Sequence, residues 1–110
     1  MSQGGGAEGG DHLSPLLEAL RADAERAQYY LDLLKPVRAY DREHQGDLVE
    51  TLAVYLQHGG NATRAAEALF LHRNSLRYRL ARISALTGLD LDDPSHRMAL
   101  QVGLMVAGSG

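Results

Sequence analysis

Five arginines, at positions 64, 73, 77, 79 and 82, fall between residues 61 and 84, and Glu67 is the one acid among them, leaving +4 there on a chain whose net charge is −3. A positive segment on an acidic chain focuses its field at one face, which suits a polyanionic partner such as nucleic acid. Arg73, Asn74, Arg77 and Tyr78 carry donors of the kind that read base edges. Arginine bridges guanine O6 and N7, and asparagine bridges adenine N6 and N7. Thr63 and Arg64, at a helix start, and His72, at the next, are placed to hold phosphate with backbone N–H groups beside them. Arg79 and Arg82 join them as expected phosphate contacts.

These side chains need two short helices and a tight turn to hold them. Asn61 is a good N-cap, and Ala62, Ala65, Ala66 and Leu69 then recur at helical spacing, with small alanines that permit close approach of another helix. Phe70 and Leu71 interrupt that register. Leu76, Leu80 and Ile83 then follow at i, i+4 and i+7, one narrow apolar stripe at about 100° per residue. Asn74, Tyr78 and Ala81 fall on the opposite side, flanked by Arg77 and Arg82. One face is core and the other offers arginine, amide and phenol donors, the chemistry of a helix that enters a major groove.

Other chemistries find little support. The histidines at 12, 44, 58, 72 and 96 have no ligand spacing, and there is no cysteine for a thiolate site, disulfide or nucleophile. Asp90, Asp92 and Asp93 lack the rest of a calcium loop and suit a helix N-terminus better. Ser75 has no base beside it. No catalytic residue, metal, cofactor or small-molecule site is expected.

The stretches DLVETLAVYLQHGGN, ATRAAEALFLHRNSLRYRL and LTGLDLDDPSHRMAL, from about Asp47 to Leu104, resemble the C-terminal domain of the PucR/CdaR family of bacterial transcription regulators. The central part is similar also to the Fis-type helix-turn-helix, with Phe70 standing where such turns often have glycine. The resemblance implies an all-α, Fis-like helix-turn-helix domain that reads double-stranded DNA with a helix over 73–86. The positions matching the family motif make Arg73, Ser75 and Arg77 the leading base contacts.

Around this unit the pattern predicts three further helices. Ser14-Pro15 opens the first, as N-cap and first helical residue. Leu13, Leu17, Leu20, Ala24, Ala27, Leu31 and Leu34 step by 4 and 3 along it, an a/d series over about three heptads. That stripe suits a homodimer seam, or equally a helix folded back on its own domain. Pro36 is expected to stop this helix. Asp47 and Glu50 form a capping-box pattern for a second helix that buries Leu48, Leu52, Tyr55 and Leu56 and ends at Gly59-Gly60. Gly88 closes the helix over 73–86. Asp93-Pro94 starts a last helix, buried through Met98, Val102 and Met105 with Leu100 and Leu104.

Residues 1–12, rich in glycine, read as a disordered tail, as do Gly108 to Gly110. Residues 13–45 form the N-terminal helical segment and 46–107 the DNA-binding domain. No signal pattern or membrane-spanning run is present, which fits a cytoplasmic protein. The chain is either a C-terminal fragment or a minimal regulator. Two functions fit: a DNA-binding domain, or a helical interaction module whose arginine face takes an acidic partner.

Overall fold

Leu48, Leu52 and Tyr55 are all buried, so the segment after Asp47 has one core face and folds as a helix against which the others pack. The computed structural model describes residues 5–109, and the side chains of 14–108. It contains α1 (Gly5–His44), α2 (Leu48–Gln57), α3 (Ala62–Leu69), α4 (Arg73–Thr87) and α5 (Pro94–Ser109), with no strand among the described residues. The core joins Leu34 and Val37 of α1, the α2 stripe, Ala65 and Ala66 of α3, Leu76 and Ile83 of α4, Leu91 and Leu100. Tyr55 ties the α4–α5 loop to this core, its hydroxyl donating to the Leu91 carbonyl at 3.3 Å, and Arg97 donates to the same carbonyl at 3.0 Å. Burial pushes the Tyr55 phenol above its ordinary pKa, so it stays a neutral donor.

The first helix departs from expectation. Pro36 lies inside α1, as does Pro15, and the helix runs on to His44. An interior proline costs about 3 kcal/mol through its lost N–H bond and ring clash. Leu34 and Val37 on either side are 1% and 0% exposed, and each fully buried side chain of this kind contributes about 1.5–3 kcal/mol. Packing on both flanks therefore offsets the break. The helix also begins at Gly5, upstream of Ser14, so its first turns overlap the expected tail. Extending a helix already nucleated is cheaper than starting one. Residues 1–4 lie outside the described residues.

Two local expectations are corrected. Asp47 occupies the N-cap of α2 but its side chain makes no capping bond. The carboxylate of Asp41, from the end of α1, accepts the Leu48 and Val49 N–H groups at 2.9 and 3.0 Å instead. A Cβ at Gly46 would stand 3.0 Å from Asp41 Oδ1, so the glycine leaves room for that carboxylate. In α5 the buried face is that of Leu100 and Gly103, while Met98 and Met105 are 64% and 63% exposed. The cause is the position of α1, which α5 meets at Gly103. α5 also continues through Gly108 to Ser109, where a tail was expected.

Candidate nucleic-acid interface

The two-helix unit is fixed at three points by local chemistry. At the start of α3, Asn61 is extended and its side chain accepts the Arg64 N–H at 3.0 Å. This leaves Thr63 and Arg64 exposed in the first turn, where the helix N-terminus attracts anions. At the end of α3, Leu71 N–H bonds to the Ala66 carbonyl at 2.9 Å and Phe70 N–H to Glu67 at 3.2 Å, the pair of bonds of a Schellman motif. That motif needs a left-handed residue, and Phe70 takes the role with φ 56° and ψ 40°. At the start of α4, the His72 Nδ1 accepts the Asn74 N–H at 3.0 Å. A neutral imidazole accepting at Nδ1 carries its hydrogen on Nε2, which makes that atom a donor.

α4 is anchored by Leu76 and Ile83, both 0% exposed. With that face inward, Arg73, Asn74, Ser75, Arg77 and Tyr78 are all exposed over its first two turns. Among the described residues no carboxylate forms an ion pair with Arg64, Arg73 or Arg77. The expected base-reading side chains are thus all exposed along the first two turns of α4, and Thr63, Arg64 and His72 are exposed at the helix starts.

Arg79 and Arg82 are placed differently. Arg79 is half-buried and its Nη1 donates to Thr51 Oγ1 of α2 at 3.1 Å. Thr51 is fully buried and passes its own hydrogen to the Asp47 carbonyl at 2.7 Å. Arg82, also half-buried, donates from Nη2 to the Tyr78 hydroxyl oxygen at 2.8 Å, and its guanidinium carbon lies 5.6 Å from the Tyr40 ring centre. The sequence pattern misses both Thr51 and Tyr40. They sit on other helices, far away in the chain, and no spacing within α4 points to them.

The expected dimer stripe on α1 divides. Leu17, Leu20 and Ala24 are exposed, Ala27 and Leu31 half-buried, and Leu34 buried in the chain's own core. The side chain of Leu13 lies outside the described residues. Among the described residues, no helix is long and apolar enough to cross a membrane.

Comparison with known proteins agrees with this geometry. Residues 48–106 match the PucR C-terminal helix-turn-helix domain. The chain is 40% identical over 95 residues to the carbohydrate diacid regulator of Escherichia coli, covering 86% of this chain and 24% of that protein. It is 36% identical over 90 residues to the proline-responsive transcriptional activator PutR of Bacillus subtilis, covering 82% and 22%. With AdeR of the same organism, a DNA-binding transcriptional activator, it shares 32% over 88 residues, covering 80% and 21%. The chain therefore spans about a quarter or less of these relatives. From α2 to α5 the match follows the helices that build and carry the exposed arginine surface, and the chain belongs to the PucR family of helix-turn-helix regulators.

Proposed function

We propose that this chain is the sequence-specific, double-stranded-DNA-binding domain of a bacterial transcription regulator, with α4 in the major groove. The supporting observation is the exposed set on the first two turns of α4, whose arginines have no acid partner among the described residues. Arg73, Asn74, Ser75, Arg77 and Tyr78 take the base edges. Thr63, Arg64 and His72 take phosphates, helped by the N-terminus of α3 and by the Nε2 donor of His72. Arg79 and Arg82 add charge to the same surface and brace α4 from its flanks.

One helix-turn-helix reads few base pairs, so the working unit is a homodimer on half-sites about 34 Å apart. The α1 stripe supplies the seam, from Leu13 through Leu17, Leu20, Ala24 and Ala27 to Leu31, with Leu17, Leu20 and Ala24 its exposed centre. Such a regulator acts in the cytoplasm, at the nucleoid when DNA-bound. Selection from random duplex DNA tests the reading. The expected result is one enriched inverted repeat, bound with an affinity that falls steeply with salt. Binding without sequence preference, or without salt dependence, overturns it and favours an acidic protein partner for the arginine face.

A further inference from the structure

Tyr78 is 60% exposed, yet its hydroxyl is not unconstrained, because Arg82 one turn on donates to its oxygen at 2.8 Å. A phenol oxygen normally accepts and donates alike. Here a cationic donor occupies the acceptor side and polarises the O–H bond, and hydrogen bonds in a chain strengthen one another. The phenol hydrogen points away from a guanidinium that has nothing to accept it. Beside it on the same surface stand Ala81 and Ala85, which have no polar side-chain atoms.

Arg82 is itself held from another helix. Its guanidinium carbon is 5.6 Å from the centre of the Tyr40 ring, within the range of a cation–π contact. Tyr40 belongs to the last turns of α1, where its ring packs on His44 with centres 4.4 Å apart. No carboxylate among the described residues competes for Arg82.

We propose that Arg82 is a positioning residue for base readout, held by Tyr40, that turns the Tyr78 hydroxyl into a dedicated hydrogen-bond donor. The inference rests on α4 reading the major groove. A donor at that point selects a base-edge acceptor: guanine O6 or N7, adenine N7, or thymine O4. Cytosine alone presents only an amino donor there. Tyr78 therefore discriminates against cytosine at one position of each half-site, and α1 takes part in that discrimination without touching DNA.

The test uses the full chain and the duplex selected from random DNA, with each base placed in turn at every position. Tyr78→Phe identifies the base pair at which cytosine ceases to be disfavoured. Arg82→Met is expected to admit cytosine at that same base pair, reducing discrimination roughly three- to tenfold, the value of one hydrogen bond. Discrimination is a ratio, so the general loss from removing a charge does not affect it. Tyr40→Leu should shift the ratio in the same direction, and Tyr40→Phe, which keeps the ring, should restore it. Without DNA, the Arg82 side-chain N–H resonances should lose the Tyr40 share of their ring-current shift in Tyr40→Leu and keep it in Tyr40→Phe, while both variants retain the share from the Tyr78 ring, whose centre is 5.5 Å from the guanidinium carbon. An unchanged ratio in Arg82→Met, with a uniform affinity loss and a salt slope lower by about one, overturns the proposal and makes Arg82 a phosphate contact. A wild-type protein that selects no sequence overturns the DNA reading itself, a result distinct from either.

Discussion

The carbonyl oxygen of Tyr30 lies 2.8 Å from where a Cβ on Gly103 would stand. α1 and α5 therefore meet backbone to backbone, with the Leu34 side chain 3.3 Å from the same point. Alanine normally stabilises a helix interior over glycine by about 1 kcal/mol. Gly103→Ala should reverse that sign and destabilise by roughly 1–3 kcal/mol, since neither backbone nor a fully buried leucine yields easily. Gly108→Ala, with nothing within 4 Å of its added Cβ, is the control and should not destabilise. Urea unfolding of the two variants reads the contrast, and equal effects would show that the crossing is loose.

Arg77 and Arg64 should behave differently on DNA. Arg77→Ala is expected to cost about 1–3 kcal/mol at the selected site and little at random sequence. Arg64→Ala should weaken both alike and lower the salt slope by about one. Fluorescence anisotropy across a salt series separates them. Equal losses on both DNAs for Arg77→Ala would make it a phosphate contact.

The start of α2 is capped from outside by Asp41, which accepts two backbone N–H groups. Removing such a cap costs about 0.5–2 kcal/mol. Asp41→Ala should therefore lower the unfolding midpoint clearly and Asp47→Ala only slightly, although Asp47 holds the N-cap position. The reverse order would restore the capping role to Asp47.

At the start of α5, the Asp93 carboxylate accepts the Ser95 hydroxyl at 2.7 Å and the Ser95 N–H at 2.8 Å. Those bonds hold its pKa below the ordinary value of 3.8. A depressed folded-state value means the contribution to stability is complete above the unfolded value and disappears as pH falls through the folded one. The loss thus belongs below about pH 4. Carboxyl-carbon NMR should show Asp93 titrating below 3.8, and Ser95→Ala should move it upward. A titration unmoved by Ser95→Ala would assign the shift to another cause.

Leu17 and Leu20, 55% and 56% exposed, offer the cleanest test of the dimer seam. Replacing both with Glu should convert a sedimenting dimer to a folded monomer and weaken binding to the inverted repeat more than to a half-site. A wild-type chain already monomeric at tens of micromolar would refute the seam.

Most of this architecture is legible in the sequence where local signals decide it. Asn61, His72 and Gly88 announce the ends of α3 and α4 through side-chain caps and a left-handed glycine. The exposed set on α4 follows from the stripe of Leu76, Leu80 and Ile83 opposite it. What escapes is set by distant packing. Pro36 looks like a stop until Leu34 and Val37 are seen buried beside it, and the capping carboxylate comes from Asp41 rather than from the α2 motif itself. Leu34 belongs to the heptad series by spacing, yet the gap that receives it is made by Gly103.

Because Pro36 does not interrupt α1, the helix is a single lever whose fulcrum lies where Tyr30 meets Gly103. From there to Ser14 runs about 24 Å of rod. A rocking of about 10° at the fulcrum swings the far end by about 4 Å. Read in the other direction, a small misfit between the two rods of the proposed dimer is reduced in amplitude by the time it reaches Tyr40. In the proposed dimer the span between two reading heads is thus tolerant of errors at the tip and sensitive to them at the crossing.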